Sequence, residues 1–212
     1  MTTDERHRVR IWFCKAGDLR FISHRDLVRT WERIFRRADL QLSRSEGFHP
    51  KPRMSFPAAL AVGIAGTQEL VEVELAESRT AEALTAALAP TCPSGLDLLR
   101  VEVLPPGSKK ARVVSMSFEF PVPGERLAAL GPRIEALLAA ESHLTRRGDD
   151  SPPVDLRPAI AELALEGESL RMRLLVNPQG GARPRAVLEA LGLDDLLETG
   201  LHLTRTAIEL AP

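Results

Sequence analysis

The sequence predicts an α+β fold made of two tandem domains, and three observations support this prediction. The chain has 212 residues, a length that suits two domains of about 100 residues each. Segments that alternate between apolar and polar residues, as strands do, are interleaved with segments of helical periodicity. A linker rich in Pro, Gly and Lys lies at 105–110, near the middle of the chain. We therefore place the two domains at residues 1–106 and 111–212.

The first half is predicted to follow the order strand, helix, strand, strand, helix, strand. The first strand is 9–13, with the sequence VRIWF. Ser23 followed by Asp26 predicts the start of a helix, in which apolar residues recur at helical spacing up to Ala38. The remaining predictions are a short strand at 40–43, strand-like residues near Met54, a strand at 69–75, a helix at 80–88 and a strand at 96–104.

The second half repeats this order of elements without repeating the residues. We predict a strand at 113–122, a helix at 125–140, strands near 143–147 and at 161–176, a helix at 184–191 and a strand at 201–210. The order β-α-β-β-α-β is that of the ferredoxin-like arrangement. The predicted fold is accordingly two tandem ferredoxin-like domains with antiparallel sheets.

Composition excludes several classes of protein. Cys14 and Cys92 are the only cysteines, and their separation suits neither a disulfide framework nor the close Cys and His spacing of zinc and iron–sulfur sites. We expect no metal and no cofactor. No run approaches the roughly 20 apolar residues that span a bilayer, and residues 1–10 are too charged for a secretion signal. We therefore expect a cytoplasmic protein that does not enter the membrane.

The charge of the chain is divided unevenly along its length. The formal net charge is -1, yet residues 1–60 hold 13 basic and 7 acidic residues, a net charge of +6. The remainder holds 15 basic and 22 acidic residues, a net charge of -7. Because a polyanion is attracted to the positive part, the first sixty residues are the expected binding region.

Two basic elements of this region predict an RNA-binding surface. Opposite the apolar face of the predicted helix lies a series that we call the arginine ridge: Arg25, Arg29, Arg33, Arg36 and Arg37. The loop at 47–53 is stiffened by its prolines. Since guanidinium groups bind phosphates and flat side chains stack on bases, we expect RNA contacts from Arg25, Arg29, Arg33, Arg36, Phe48, His49, Lys51 and Arg53. The alternative, a solvated helix face beside a rigid turn, stays open.

His24 is the candidate catalytic residue, because it lies beside the predicted helix N-terminus. In a metal-independent ribonuclease, this imidazole would take the proton from a 2′-hydroxyl while a second group assists the leaving oxygen. His49 or Lys51 could be that second group. The alternative role for His24 is to hold the turn before the helix by a local hydrogen bond.

Two other patterns predict no site. Asp149, Asp150 and Asp155 form an acidic cluster in a Pro-rich stretch, which we interpret as a solvated loop rather than a metal site. Gly63 and Gly66 lack the spacing of a phosphate-binding loop, so we predict no nucleotide site there.

The segment GDLRFISHRDLVRTWERIFRRADLQLSRSEGFHPKPRMSF, residues 17–56, resembles the opening of the radical-SAM-linked family of unknown function. The resemblance rests on FISH-x-DL at 21–27 and on GF-x-P-x-P at 47–52. Members occur alone or as the C-terminal part of cobalamin-binding-type radical SAM proteins. The chain lacks the cysteine triad that holds an iron–sulfur cluster, so the resemblance implies a standalone form that does not itself perform radical chemistry.

The order of elements also resembles that of CRISPR repeat-processing endoribonucleases, some of which carry a catalytic histidine near the first helix, where His24 lies. Three functional hypotheses follow. The preferred one is an RNA-binding accessory protein in tRNA or rRNA modification or processing, acting with a radical SAM enzyme. The second is a metal-independent endoribonuclease. The third is a protein–protein adaptor without nucleic acid, whose basic half docks on an acidic partner. The sequence leaves the oligomeric state open.

Overall fold

The computed structural model describes residues 7–146, 152–176 and 183–212, and the chain divides into two compact units between Arg112 and Val113. Both units combine helices with antiparallel strands, which confirms the α+β class. Asp149, Asp150 and the last residue of the strand predicted at 143–147 lie outside the described residues. None of the helices in the described ranges is both long enough and apolar enough to cross a bilayer.

In its described residues, unit 1 contains four strands and two α-helices. Their bounds are β1 His7–Lys15, α1 His24–Arg37, β2 Met54–Ser55, β3 Ala65–Leu75, α2 Ala81–Leu88 and β4 Leu96–Val103. Within this unit β1 pairs with both β3 and β4, and β2 pairs with β3, all antiparallel. The strands are therefore arranged in the order β4, β1, β3, β2.

The core of unit 1 forms because one face of its sheet is apolar. Val9, Ile11 and Phe13 alternate along β1 and are buried on the same side. Trp31 of α1 is fully buried there, and its ring meets Phe13 edge to face at a centroid distance of 5.0 Å. The arginines of α1 consequently face away from the sheet, as its apolar periodicity predicts.

Unit 2 has the same order of principal elements. Its bounds are β5 Val113–Pro121, α3 Gly124–Ala139, β6 Leu144–Thr145, β7 Val154–Asp155, β8 Ile160–Glu166, β9 Ser169–Leu175, α4 Pro184–Leu191 and β10 Thr204–Leu210. Strands β10, β5, β9 and β8 are neighbours in that order and pair antiparallel. Strands β6 and β7 form a separate two-stranded ladder.

The single strand predicted at 161–176 is wrong, because the structure has a hairpin there. Glu166 pairs with Ser169, so Gly167 and Glu168 form a two-residue turn in which Gly167 has a φ of 60°. In the β-α-β-β-α-β order of unit 2, β8 is therefore the second strand and β9 the third. The strand predicted near 143–147 is only the two-residue β6, which pairs outside that sheet.

A candidate basic and aromatic binding surface

A loop interrupts the edge strand of unit 1, which pairs with β3 through residues 42–43 before the loop and residues 53–55 after it. The backbone carbonyl of Glu74 accepts a hydrogen bond from Ser43 N at 2.7 Å, and Glu74 N donates to Arg53 O at 3.0 Å. The ladder along β3 therefore passes directly from Ser43 to Arg53, and residues 44–52 leave the sheet and return. We call residues 44–52 the edge loop. The strand predicted at 40–43 is reduced to an isolated bridge between Leu42 and Leu75.

Hydrogen bonds close the base of the edge loop. Ser45 N donates to Lys51 O at 2.8 Å, and Lys51 N donates to the Ser45 hydroxyl at 3.0 Å. The Arg44 guanidinium donates to Pro50 O at 3.3 Å, and Arg53 Nε donates to Arg44 O at 3.1 Å. Because proline φ angles are fixed as well, the edge loop has a defined shape rather than that of a free linker.

The tip of the edge loop presents an aromatic ring to solvent. Gly47 has a φ of 120°, a conformation that favours glycine over residues with a side chain. The next residue, Phe48, is fully exposed at 103% of its reference area, and His49 is exposed as well. A phenyl ring in this position buries nothing within the protein, so its two faces are available to a ligand.

All five arginines of the arginine ridge are exposed. Arg29 lies 3.4 Å from a carboxylate oxygen of Asp26, and Arg33 donates to the Thr30 hydroxyl at 3.2 Å. No described carboxylate forms a salt bridge with the other three ridge residues: Arg25, Arg36 and Arg37. Most of the ridge charge is therefore available to an external anion.

The arginine ridge does not border a single cavity. Arg36 lines a cavity of about 540 Å³ together with Arg44 and Pro52 of the edge loop. Arg33 and Arg37 line a different cavity, of about 370 Å³, on the side of Thr91 and Pro93. Of the predicted RNA contacts on α1, Arg36 thus shares a cavity with the edge loop, whereas Arg33 borders a cavity on another side of the helix.

A further cavity, of about 300 Å³, lies at the base of the edge loop. It is bordered by Lys51 and Arg53, which the sequence singled out, and also by Arg8 and Lys110, which the sequence analysis missed. Arg8 belongs to β1 and Lys110 to the segment interpreted as a linker. The missed signal was the alternation of β1, which places Arg8 on the face of the sheet opposite the core.

His24 is the first residue of α1 and is exposed. Its ring meets Phe56 edge to face at a centroid distance of 5.2 Å. Ser23, the N-cap, accepts a hydrogen bond from Asp26 N at 3.2 Å and donates its hydroxyl proton to the Asp26 carboxylate at 2.6 Å. The N-cap role of Ser23 is confirmed. In the described part of the chain no hydrogen bond or ring contact joins His24 to His49 or Lys51.

The remaining titratable groups have local roles. The Asp155 carboxylate accepts hydrogen bonds from His143 N at 2.8 Å and Arg157 N at 3.0 Å, which lower its pKa. Burial raises the pKa of Cys92 to about 11, and nearby Asp97 adds to the shift. Within the described ranges, no three His, Cys, Asp or Glu residues are grouped as metal ligands.

The fold and this surface define a two-unit α+β protein whose first unit carries cations around an exposed aromatic loop. Residues 8–184 match the model of a family described as an uncharacterized protein conserved in bacteria, DUF2344, and the chain belongs to that family. A solved structure, of an unknown protein from Galdieria sulphuraria, covers 98% of this chain and 100% of its own length. It shares 11% identity with a TM-score of 0.27, too low to carry over a fold or a function. No curated protein matches the chain.

Proposed function

We propose that the protein is an RNA-binding accessory protein whose binding surface consists of the edge loop and the neighbouring side of α1. The observation that carries this proposal is the fully exposed ring of Phe48, at the tip of a loop that is closed by hydrogen bonds and has Lys51 and Arg53 at its base. A base stacks on such a ring whatever its identity. Arginine and lysine side chains bind the adjoining phosphates.

The chemistry of this surface favours single-stranded RNA as the ligand class. Stacking on Phe48 requires an unpaired base, which loops, bulges and single strands provide. His49, next to it, supplies a second flat side chain at the loop tip. Contacts to phosphates carry no sequence information by themselves, so the expected binding is strong across many sequences and sensitive to salt.

Two finer assignments belong to the same proposal. In each unit the four principal strands follow the spatial order fourth, first, third, second, which supports two tandem ferredoxin-like domains. The resemblance of residues 17–56 to the radical-SAM-linked family supports a radical SAM enzyme as the partner that modifies the bound RNA. Affinity purification from cells, with and without ribonuclease treatment, tests whether such an enzyme accompanies the protein.

The test of RNA binding is fluorescence anisotropy with labelled single-stranded RNAs of several sequences at a series of salt concentrations. We compare the wild type with the Arg29→Ala, Arg33→Ala, Arg36→Ala triple variant. The matched control is the Arg79→Ala, Arg171→Ala, Arg173→Ala triple variant, which removes the same charge from residues already held in ion pairs. We expect the ridge variant alone to bind weakly and to show a shallower salt dependence. Unchanged affinity and slope in the ridge variant would exclude the ridge from the binding surface.

The exposed position of His24 at the start of α1 supports one second candidate, a metal-independent endoribonuclease. This activity requires cleavage of RNA in excess chelator that is lost in the His24→Ala variant while RNA binding persists. The absence of products across a broad RNA pool argues against it. Recovery of an acidic protein partner without RNA would instead favour the adaptor.

A further inference from the structure

The cavity at the base of the edge loop combines positive charge with a fixed position relative to Phe48. Its charged border consists of four basic and two acidic residues: Arg8, Lys51, Arg53, Lys110, Glu72 and Glu74. The net charge of this border is +2. Lys51 is three residues from Phe48, so their Cα atoms lie at most about 10 Å apart.

Both carboxylates in this cavity already have partners. Glu72 Oε1 accepts from Arg10 Nε at 2.8 Å, and Glu72 Oε2 accepts from Ala111 N at 3.0 Å. Glu74 lies 3.2 Å from Arg8 Nη2 through one oxygen and 3.7 Å from Arg53 Nε through the other. Ion pairs with Arg8, Arg10 and Arg53 offset the charge of the two carboxylates, although Glu74 Oε2 accepts no hydrogen bond from the described residues, and the two lysines keep their charge.

The cations that remain are Lys51, Lys110 and the terminal nitrogens of Arg53. No described carboxylate forms a salt bridge with either lysine, and Arg53 contacts Arg44 O and the Glu74 carboxylate through Nε. Lys110 reaches the cavity because the segment before it is bonded to β1. Arg8 donates to Ser108 O, and Arg10 Nη2 donates to Lys109 O at 3.5 Å.

We infer that this cavity is a phosphate-binding site, in which Lys51, Arg53 and Lys110 hold the phosphate adjacent to the base that stacks on Phe48. The inference rests on the proposed RNA-binding function and specifies where the backbone of the RNA lies. Two ammonium groups and the fork of a guanidinium provide several charge-assisted hydrogen bonds to one tetrahedral anion. A concave border with two lysines outside any described salt bridge matches a phosphate better than it matches an extended acidic peptide.

The RNA arm of the test compares Lys110→Ala with Lys109→Ala. These neighbouring lysines are both exposed, and only Lys110 borders the cavity, so the control matches in charge and position. We expect Lys51→Ala and Lys110→Ala each to weaken binding of labelled single-stranded RNA about tenfold, and Lys109→Ala to have little effect. Because both lysines would hold one phosphate, the salt slope of the double variant should fall by only about 0.7.

The phosphate arm separates this inference from the proposed function. Inorganic phosphate is titrated into the full chain and its binding is measured by isothermal titration calorimetry, in the wild type and in the Lys51→Ala, Lys110→Ala variant. Saturable phosphate binding that the double variant loses supports the site. If the wild type also binds no RNA, only the proposed RNA-binding function is overturned. If RNA binds but Lys110→Ala behaves as Lys109→Ala does, the phosphate site is overturned and RNA binding stands. Phosphate binding that is equal in both proteins also overturns it.

Discussion

At the scale of single residues, substitution of Phe48 should affect RNA binding and leave the stability of the fold nearly unchanged. Because the ring is fully exposed, the free energy of unfolding of the Phe48→Ala variant should lie within about 0.5 kcal/mol of the wild-type value. Its affinity for single-stranded RNA should fall by about 1 to 3 kcal/mol, the usual contribution of one stacked base. Chemical denaturation and fluorescence anisotropy on the same preparation measure both quantities.

Phe21 provides the control for Phe48. It is 56% exposed, and the Arg20 guanidinium lies 4.1 Å from the centre of its ring, so one face is occupied within the protein. We expect the Phe21→Ala variant to bind RNA as the wild type does. Equal losses in both variants would indicate a general apolar effect and would argue against stacking on Phe48.

The thiol of Cys92 should react slowly with alkylating reagents in the folded protein. Burial, with Asp97 nearby, raises the pKa of this thiol to about 11. The reactive thiolate is therefore scarce at pH 8. We expect alkylation by iodoacetamide to be much slower in buffer than in denaturant, where the thiol returns to its ordinary pKa, and peptide mass spectrometry measures the two rates. Equal rates would show that Cys92 is accessible and ionised in the native protein.

The sequence predicted the surface residues that are close together in the chain, but not the distant residues that share a cavity with them. Phe48, His49, Lys51 and Arg53 are neighbours in the chain, so the loop that carries them was visible from its Gly and Pro residues. The alternation of β1 places Arg8 on the polar face of the sheet, but its position beside Lys51 and Lys110 depends on pairing between β1 and β3 and on bonds to residues 108 and 109. These are long-range contacts that local periodicity does not encode.

At the scale of elements, the start of α1 depends on Ser23. The Ser23→Ala variant removes the hydroxyl that caps the helix, and we expect it to lower the free energy of unfolding by about 1 kcal/mol at pH 7. Ser23→Thr keeps a hydroxyl and should lose much less. Urea denaturation of the two variants beside the wild type measures this difference, and equal losses would show that the cap does not stabilise α1.

The effect of Ser23 should also depend on pH. The hydroxyl of Ser23 is the largest cause of the lowered pKa of Asp26. A carboxylate with a lowered pKa in the folded state stabilises the fold above its ordinary pKa and loses that effect as the pH falls through the folded value. The difference between wild type and Ser23→Ala should therefore be largest near neutrality and smaller below about pH 4. A difference that is constant from pH 7 to pH 3 would contradict this coupling.

Shortening the edge loop should leave the fold of unit 1 intact. We predict that replacing residues 46–50 by Asn-Gly, a two-residue hairpin turn, leaves the ladder at Ser43, Arg53 and Glu74 unchanged. Thermal unfolding should shift little, whereas RNA binding should be lost with Phe48 and His49. A scrambled loop of the original length that keeps Gly47 and lacks aromatic residues is the control for loop length. A large loss of stability in the shortened variant would show that the edge loop supports the sheet.

Most helices and strands were predictable because their periodicity is local, and two of the failures have the same physical cause. The hairpin of β8 and β9 and the interrupted edge strand both depend on where a chain turns back on itself. At Gly167 the apolar alternation continues on both sides of the turn, so a single strand was predicted. At Ser43 and Arg53 the two parts of the edge strand meet through their shared partner Glu74 and through the hydrogen bond that Arg53 N donates to Ser43 O at 2.8 Å, contacts that local periodicity does not reveal.

At the scale of the whole molecule, charge is divided between the units. Unit 1 holds 18 basic and 14 acidic residues, a net charge of +4, and unit 2 holds 10 and 15, a net charge of -5. We therefore predict that ultraviolet crosslinking of bound RNA, read by peptide mass spectrometry, marks peptides before Arg112 and spares those after Val113. Crosslinks concentrated in unit 2 would contradict the placement of the binding surface.

The way in which the edge loop joins its strand has a consequence for protein engineering. Ser43 and Arg53 attach to the backbone of one residue, Glu74, so the spacing between them in the chain does not set the register of the sheet. Since lengthening a surface loop adds little entropic cost, randomised peptides could replace residues 46–50 without moving any strand. The chain would then serve as a display scaffold, from which binders to chosen targets could be selected.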